Sequence, residues 1–245
     1  MLLVLIGWWI KNGSIQGFGV GFDLSAFRIP SVLGRLGLSY FIIAVIIILC
    51  PRRAPTSRGL DAWLPEATEW AAAWCLVFCI AGIWLCTAFC LPVPDCPTGY
   101  LGPGGTDEGG KYRHCTGGAT GYIDVVILGA QHLANNGKSY SACWAKYKCT
   151  NFDANNLLGT LPSAVHVFLG FQASRVLLVH SDPWVCQVRL STWGVVWLCL
   201  GISLDLSGWL PLSKLLWSLS YVFWTAGLAT LLLVMLHRFV DIPQQ

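Results

Sequence analysis

The sequence predicts an all-α, polytopic membrane helix bundle, and three observations support that fold class. The chain has 245 residues, of which 55% are hydrophobic and only 11% are charged, whereas soluble domains carry about 25% charged residues. It contains 13 tryptophans, a residue enriched where a membrane meets water. Apolar runs recur near the length of about 20 residues that a helix needs to cross a bilayer. The net charge of +3 is small, so we expect no nucleic-acid partner.

We predict about five full membrane spans, preceded by one shorter apolar segment. The full spans are predicted at residues 32–50, 70–91, 157–179, 190–206 and 217–236. Residues 2–10 are apolar but too short to cross a bilayer, and they lack the basic start and the cleavage site of a signal peptide. We interpret them as the second half of a truncated N-terminal half-span. We therefore expect residues 1–245 to form a single transmembrane domain fragment.

The longest polar connection is a Gly/Pro/Cys-rich loop at residues 92–156. Proline lacks a backbone N–H and glycine opens positive φ values. We therefore expect the part up to Asp124 to be an ordered, turn-rich loop with neither helix nor sheet. Its residues 102–105 either turn the chain or hold a phosphate group through backbone N–H groups.

Four cysteines lie in this loop, at positions 96, 115, 143 and 149. Four cysteines allow three pairings, and the spacing does not choose among them. The loop has no Cys-x-x-Cys pair, so we expect no metal site. Disulfide bonds form in oxidising compartments, which favours a lumenal or extracellular loop.

The basic residues predict the same orientation independently. One side of the predicted bundle collects Arg52, Arg53, Arg58, Arg175, Arg189 and Arg238, and the other collects Lys11, Arg28 and Lys214. Basic residues concentrate on the cytoplasmic side of membrane proteins. The long loop is therefore predicted on the opposite, lumenal side.

Two polar features within predicted spans suggest function. Ser31, Arg35 and Ser39 recur every four residues and share one helix face. An arginine at the centre of a span costs about 2.5–3.5 kcal/mol. Either Arg35 extends its side chain to the membrane surface, or this stripe lines a cavity that binds an anionic group. His166, near mid-span, is either a neutral histidine bonded to a neighbouring helix or part of a transport pathway with Arg35.

Four stretches, in the same order along the chain, resemble the heparan-alpha-glucosaminide N-acetyltransferase family. The loop sequence LPVPDCPTGYLGPGG, followed by KYRHCTGGATGYID, resembles the family's loop. The stretch RIPSVLGRLGLSYF resembles its RIPGVLQR segment, FDANNLLGTLPS resembles its DPEG-LLGT segment, and LWSLSYV resembles one of its late helices. The resemblance covers nearly the whole chain.

This resemblance implies a lysosomal multi-pass membrane enzyme with a lumenal loop. Such an enzyme moves acetyl from cytosolic acetyl-CoA to the terminal glucosamine amine of heparan sulfate, either through an acyl-histidine or directly. The implied partners are acetyl-CoA, glucosamine-terminated heparan sulfate and membrane lipids, and self-association into a homo-oligomer is left open. Arg28, Arg35 and Ser39 are candidates for cofactor binding, since arginine recognises phosphate. Tyr122 and Asp124 are substrate-loop candidates, and Asp124 either orients an amine or caps a helix.

The sequence also departs from the family pattern. The family's catalytic histidine lies upstream of every segment present here, so we assign no catalytic residue and expect a C-terminal-half fragment that is inactive alone. The family's Pro-Glu-Gly is Ala154-Asn155-Asn156 here. Cys96 and Cys115 are kept, and the resemblance implies that they form a disulfide. The alternative function is a non-catalytic protein of the same family that binds CoA or assists assembly.

Overall fold

The computed structural model describes residues 2–13, 27–50, 68–133, 146–148 and 152–241. Within these ranges the regular secondary structure is helical, and there is no strand. The α-helices are α1 (Leu2–Gly13), α2 (Val32–Leu49), α3 (Ala71–Cys90), α4 (Ala119–Leu128), α5 (Thr160–Val179), α6 (Pro183–Leu206) and α7 (Leu219–Leu236). Short 3₁₀ turns lie at Asp107–Gly110 and Ala130–His132, and a π-helical turn at His237–Asp241 follows α7.

Five of these helices are long and apolar enough to cross a membrane. They are α2, α3, α5, α6 and the stretch Leu219–Val240 that includes α7. The predicted all-α, multi-pass bundle is therefore confirmed. The fourth span begins earlier than predicted, at Pro183 instead of residue 190. Asp182 explains the difference, because its side chain accepts a hydrogen bond from the backbone N–H of Trp184 and so caps the helix.

The prediction of a loop without helix up to Asp124 was wrong. α4 begins at Ala119 and contains both Tyr122 and Asp124. Residues 119–128 contain no proline and are mostly apolar, so a helix forms once they are buried. α4 starts directly after Gly118, whose φ is +53°. A Cβ there would overlap the carbonyl oxygen of Tyr100, so the turn before α4 requires glycine.

The chain divides into two compact units. Unit 1 consists of Met1–Phe41, Ala81–Ser163 and Lys214–Trp217. In unit 1, α1 holds the segment that leads into α2. The indole N–H of Trp8 donates to the carbonyl oxygen of Ile29 at 3.0 Å. The side chain of Asn12 accepts from the backbone N–H of Arg28 and donates to its carbonyl oxygen, so the backbone of Arg28 is fixed on both sides.

The loop between α3 and α4 also belongs to unit 1 and is closed by a disulfide. This bond joins Cys96 and Cys115, the pair implied by the resemblance. Two amide groups of the Gly-rich residues 102–105 are used within the loop. The N–H of Gly104 donates to the Tyr100 hydroxyl, and that of Gly105 donates to the carbonyl oxygen of Arg113. Cys143 and Cys149 lie outside the described residues.

Unit 2 consists of Ile42–Ile80, Ala164–Ser213 and Ser218–Gln245. Its helices α6 and α7 pack closely because glycines lie between them. A Cβ at Gly227 would come within 2.6 Å of the backbone nitrogen of Leu198, and one at Gly201 within 2.5 Å of that of Trp224. Small residues let membrane helices approach in this way.

Candidate functional site

Unit 1 contains a group of buried and partly buried polar side chains that we call the polar cluster. Its members are Arg28, Arg35, Ser39, Asp124, Asp153 and Asn156. They come from the segment before α2, from α2, from α4 and from residues 152–159, and the turn Lys214–Trp217 packs against them. These are the segments that carried the family resemblance, so stretches far apart in the sequence meet at one place.

Arg28 and Asp153 form the first charged pair of the cluster. The Arg28 guanidinium donates from Nε and Nη2 to both carboxylate oxygens of Asp153, at 2.8–3.0 Å. Asp153 has no exposed side-chain surface, and its Oδ1 also accepts from the backbone N–H of Asn155. Bidentate pairing of this kind fixes the relative orientation of the two side chains and also neutralises their charges. The guanidinium of Arg28 is therefore already paired within the protein.

Arg35 is buried without a carboxylate bonded to it. Its Nη2 donates to the carbonyl oxygens of Ala154 and Asn156, at 2.9 and 3.1 Å. Its guanidinium lies 5.0 Å from the centre of the Trp217 ring, a favourable cation–π distance. Its Nε has no hydrogen-bond partner among the described residues. A donor on a positively charged group is therefore left available.

Asn156 holds the residues 152–159 in place. Its side chain donates to the carbonyl oxygen of Leu215 at 2.9 Å and accepts from the backbone N–H of Gly159 at 2.6 Å. A Cβ at Gly159 would overlap the Asn156 carbonyl and come within 3.3 Å of Arg35 Nη2. The hydroxyl of Ser39 donates to the carbonyl oxygen of Thr160 at 3.4 Å. Small residues thus allow α2 to approach this segment.

Asp124 occupies the middle of α4 and has no exposed surface. Its Oδ1 accepts a hydrogen bond from the backbone N–H of Leu157 at 2.9 Å. Its Oδ2 has no partner among the described residues. The pKa of Asp124 is raised to about 7, mainly by burial and to a smaller extent by the Asp153 charge, while the Leu157 N–H and the Arg35 charge oppose the rise.

The structure brings together four of the five predicted site residues outside the disulfide, namely Arg28, Arg35, Ser39 and Asp124. Tyr122 is half-buried, and its side chain makes no hydrogen bond to any described residue. Asp124 lies within a helix instead of at a helix entrance, and it does not cap α4. The structure assigns no catalytic role to His166, which belongs to unit 2.

Sequence reasoning missed three members of the site and its surroundings: Asp153, Asn156 and Trp217. The first two stand in FDANN, and Asp and Asn side chains close together in the sequence are typical of segments in which side chains bond the local backbone. Trp217 has a positive φ of 55°, which a sequence does not reveal for a bulky residue.

The charges of the cluster decide what it can bind. Arg28 and Asp153 neutralise each other, which leaves Arg35 Nε and Asp124 Oδ2 as a donor and an acceptor without partners in the described structure. Such a site can receive an anionic group at the arginine and an amine at the carboxylate. No metal-binding group of three or more His, Cys, Asp or Glu side chains exists among the described residues.

The fold and this cluster define a multi-pass helical membrane protein with a buried, charged site. No protein-family model matches the chain. It is 37% identical to heparan-alpha-glucosaminide N-acetyltransferase of Homo sapiens, over 98% of this chain and 37% of that protein, and it matches the Mus musculus protein with the same identity and coverage. The chain thus spans little more than a third of the length of these curated relatives. These matches support its placement in the heparan-alpha-glucosaminide N-acetyltransferase family.

Proposed function

We propose that this chain forms part of a membrane enzyme that transfers acetyl from acetyl-CoA to the terminal glucosamine amine of heparan sulfate. The observation that carries the proposal is the convergence of the family-like segments on one buried charged cluster. Packing alone would not demand a donor and an acceptor without partners at 5% exposure or less, because such groups destabilise the fold. A site for substrate explains them.

Within this proposal Arg35 is the residue that binds acetyl-CoA. The cofactor is anionic, and Arg35 has a free Nε donor among the described residues and no bonded carboxylate. Arg28 acts indirectly, because its pair with Asp153 orients the segment whose carbonyl groups hold Arg35. Ser39 supports the same segment through Thr160. Arg35 is thus the cofactor candidate, with Arg28 and Ser39 as its support.

We place the protein in the lysosomal membrane, with the loop at residues 92–156 in the lumen. The disulfide between Cys96 and Cys115 supports an oxidising compartment for that loop. The basic residues of the opposite side include Arg175 and Arg189 and, outside the described residues, those at positions 52, 53 and 58. Protease protection of the loop in intact vesicles, together with staining against a lysosomal membrane marker, tests both statements.

The proposed reaction is tested with the protein expressed from its complete transcript in cell membranes. Radiolabelled acetyl-CoA is supplied with a heparan sulfate oligosaccharide that ends in glucosamine, and the labelled terminal sugar is measured. We expect transfer by the wild type. Bound CoA without any transfer would contradict the enzyme and favour the non-catalytic, CoA-binding alternative.

The role of Arg35 is tested in the same membranes by CoA binding. We expect Arg35→Ala to weaken CoA binding roughly tenfold or more, because hydrogen bonds to charged groups contribute about 1.5–3 kcal/mol. Arg35→Lys keeps the charge but lacks the planar fork, so it should recover part of the affinity. Tyr40→Ala changes an exposed residue of the same helix and serves as the control. Equal affinity in all variants would remove Arg35 from the site.

A further inference from the structure

The carboxylate of Asp124 has one oxygen that the fold uses and one that it does not. Oδ1 holds the backbone of Leu157, whereas Oδ2 has no hydrogen-bond partner among the described residues. Asp124 is completely buried, so water does not reach this oxygen from the surface. A buried carboxylate oxygen without a partner is costly, and its presence calls for an explanation.

The neighbouring charges do not satisfy Asp124. Arg35 affects it electrostatically but directs its Nη2 to the carbonyl oxygens of Ala154 and Asn156. Arg28 is bound to Asp153 on the residues 152–159. These four charged groups, from α2, α4, the segment before α2 and the segment before α5, are the ones that act on the cluster. None of the other three forms an ion pair with Asp124 in the described structure.

A second unused polar atom lies on the same face of α4. Thr120 precedes Asp124 by four residues, so the two side chains are neighbours on the helix. Thr120 has no exposed surface, and its hydroxyl also has no partner among the described residues. Together they present acceptors for more than one N–H donor. An ammonium group, which has three N–H donors and a positive charge, fits this pair better than a hydroxyl or an anion does.

We propose that Asp124 Oδ2 binds the amine of the acceptor sugar and takes its proton, with the Thr120 hydroxyl accepting a second N–H group. This inference rests on the proposed acetyl transfer. Burial supports it as well, since it raises the pKa of Asp124 to about 7, near the pH at which a general base works best. Because Asp124 is fully buried, the sugar reaches it only when a covering segment moves.

The step is balanced in protons and electrons. The acceptor arrives as an ammonium, and Asp124 takes one proton to become a carboxylic acid, which leaves a neutral amine. The amine nitrogen bonds to the acetyl carbonyl carbon, while the bond from that carbon to its leaving group, the CoA sulfur in direct transfer, breaks and the sulfur keeps the electron pair. A second N–H proton passes to that thiolate. Asp124 later returns its proton to water.

Asp124→Asn isolates the charge from the structural role. The asparagine carbonyl still accepts from Leu157, whereas the amide no longer accepts a proton. We expect kcat to fall about 100-fold or more, as for other general bases, with CoA affinity unchanged. Asp205→Asn is the matched control. Asp205 also accepts from a backbone N–H, that of Leu212 at 2.8 Å, but it is exposed and outside the cluster.

An acceptor that needs no proton removal provides the second measurement. A sugar carrying a hydroxylamine in place of the amine is neutral at the assay pH, so Asp124→Asn should lose much less activity with it than with glucosamine. An equal loss with both acceptors would overturn the inference, as would full activity of the variant with glucosamine. If the wild type itself transfers no acetyl, the proposed function fails instead.

Discussion

Each unit buries an arginine against a tryptophan, but only one of the two arginines has a bonded carboxylate. In unit 2, Arg175 lies 5.3 Å from the Trp70 ring and donates to Glu69 at 2.5 Å. In unit 1, Arg35 lies 5.0 Å from the Trp217 ring and donates to backbone carbonyl groups. The carboxylate of Asp124 influences Arg35 without bonding to it. The Arg175 charge is therefore neutralised by Glu69, whereas Arg35 Nε and Asp124 Oδ2 have no hydrogen-bond partner among the described residues.

The comparison predicts that the pair of Glu69 and Arg175 contributes more to stability than the pair of Arg28 and Asp153 does. Glu69→Gln should destabilise the protein by about 3–5 kcal/mol, because Arg175 would remain buried without its counter-charge. Thermal unfolding in detergent measures the loss. The double variant Glu69→Gln with Arg175→Met removes the unpaired charge and should recover much of it. If Glu69→Gln unfolds like the wild type, the pair is not structural.

Breaking the pair of Arg28 and Asp153 should also destabilise the protein, but by a smaller free energy. Arg28 keeps 19% side-chain exposure, so water solvates part of its charge. Asp153→Asn should therefore cost about 1.5–3 kcal/mol, the range for hydrogen bonds to charged groups. The same unfolding measurement applies, and CoA binding should fall with it because residues 152–159 hold Arg35. A stability loss larger than that of Glu69→Gln would contradict this ranking.

Gly159, which directly precedes α5, tests how tightly residues 152–159 are packed around Arg35. Gly159→Ala should cost about 1–3 kcal/mol through overpacking, because the new Cβ meets Asn156 and Arg35. Gly170→Ala is the control, since nothing lies within 4 Å of its Cβ position. It should stabilise by up to about 1 kcal/mol. Equal effects of the two substitutions would show that residues 152–159 can relax to accommodate the added methyl group.

Asp124 should also make the stability of the folded protein depend on pH. Its pKa in the folded protein is about 7, above that of the unfolded chain, about 3.9. The folded state therefore gains stability from this group at low pH and loses it as pH rises through about 7. Asp124→Asn should be more stable than the wild type at pH 8, and this advantage should shrink at pH 5. Parallel stability curves for the two proteins would mean that Asp124 is paired in solution.

The sequence by itself determined the membrane class, the five spans and the family resemblance. These follow from composition, from apolar run length and from the order of short motifs, all of which are local properties. It also indicated Arg35 and Ser39, because residues four apart share a helix face. The boundary at Pro183 was predictable in principle from the Asp-Pro pair, which caps a helix as residues 182 and 183 do here.

The tertiary structure decided which charges are used and which are left over. Arg28 was expected to bind the anionic cofactor. It binds the carboxylate of Asp153 instead, which lies 125 residues away in the chain, and no local pattern predicts such a pairing. Asp124 was expected beside a loop, yet burial placed it in a helix with one oxygen bonded to Leu157 and one without a partner among the described residues. Charge pairing depends on distance in space. The sequence therefore provided the ionisable residues, and packing determined their chemistry.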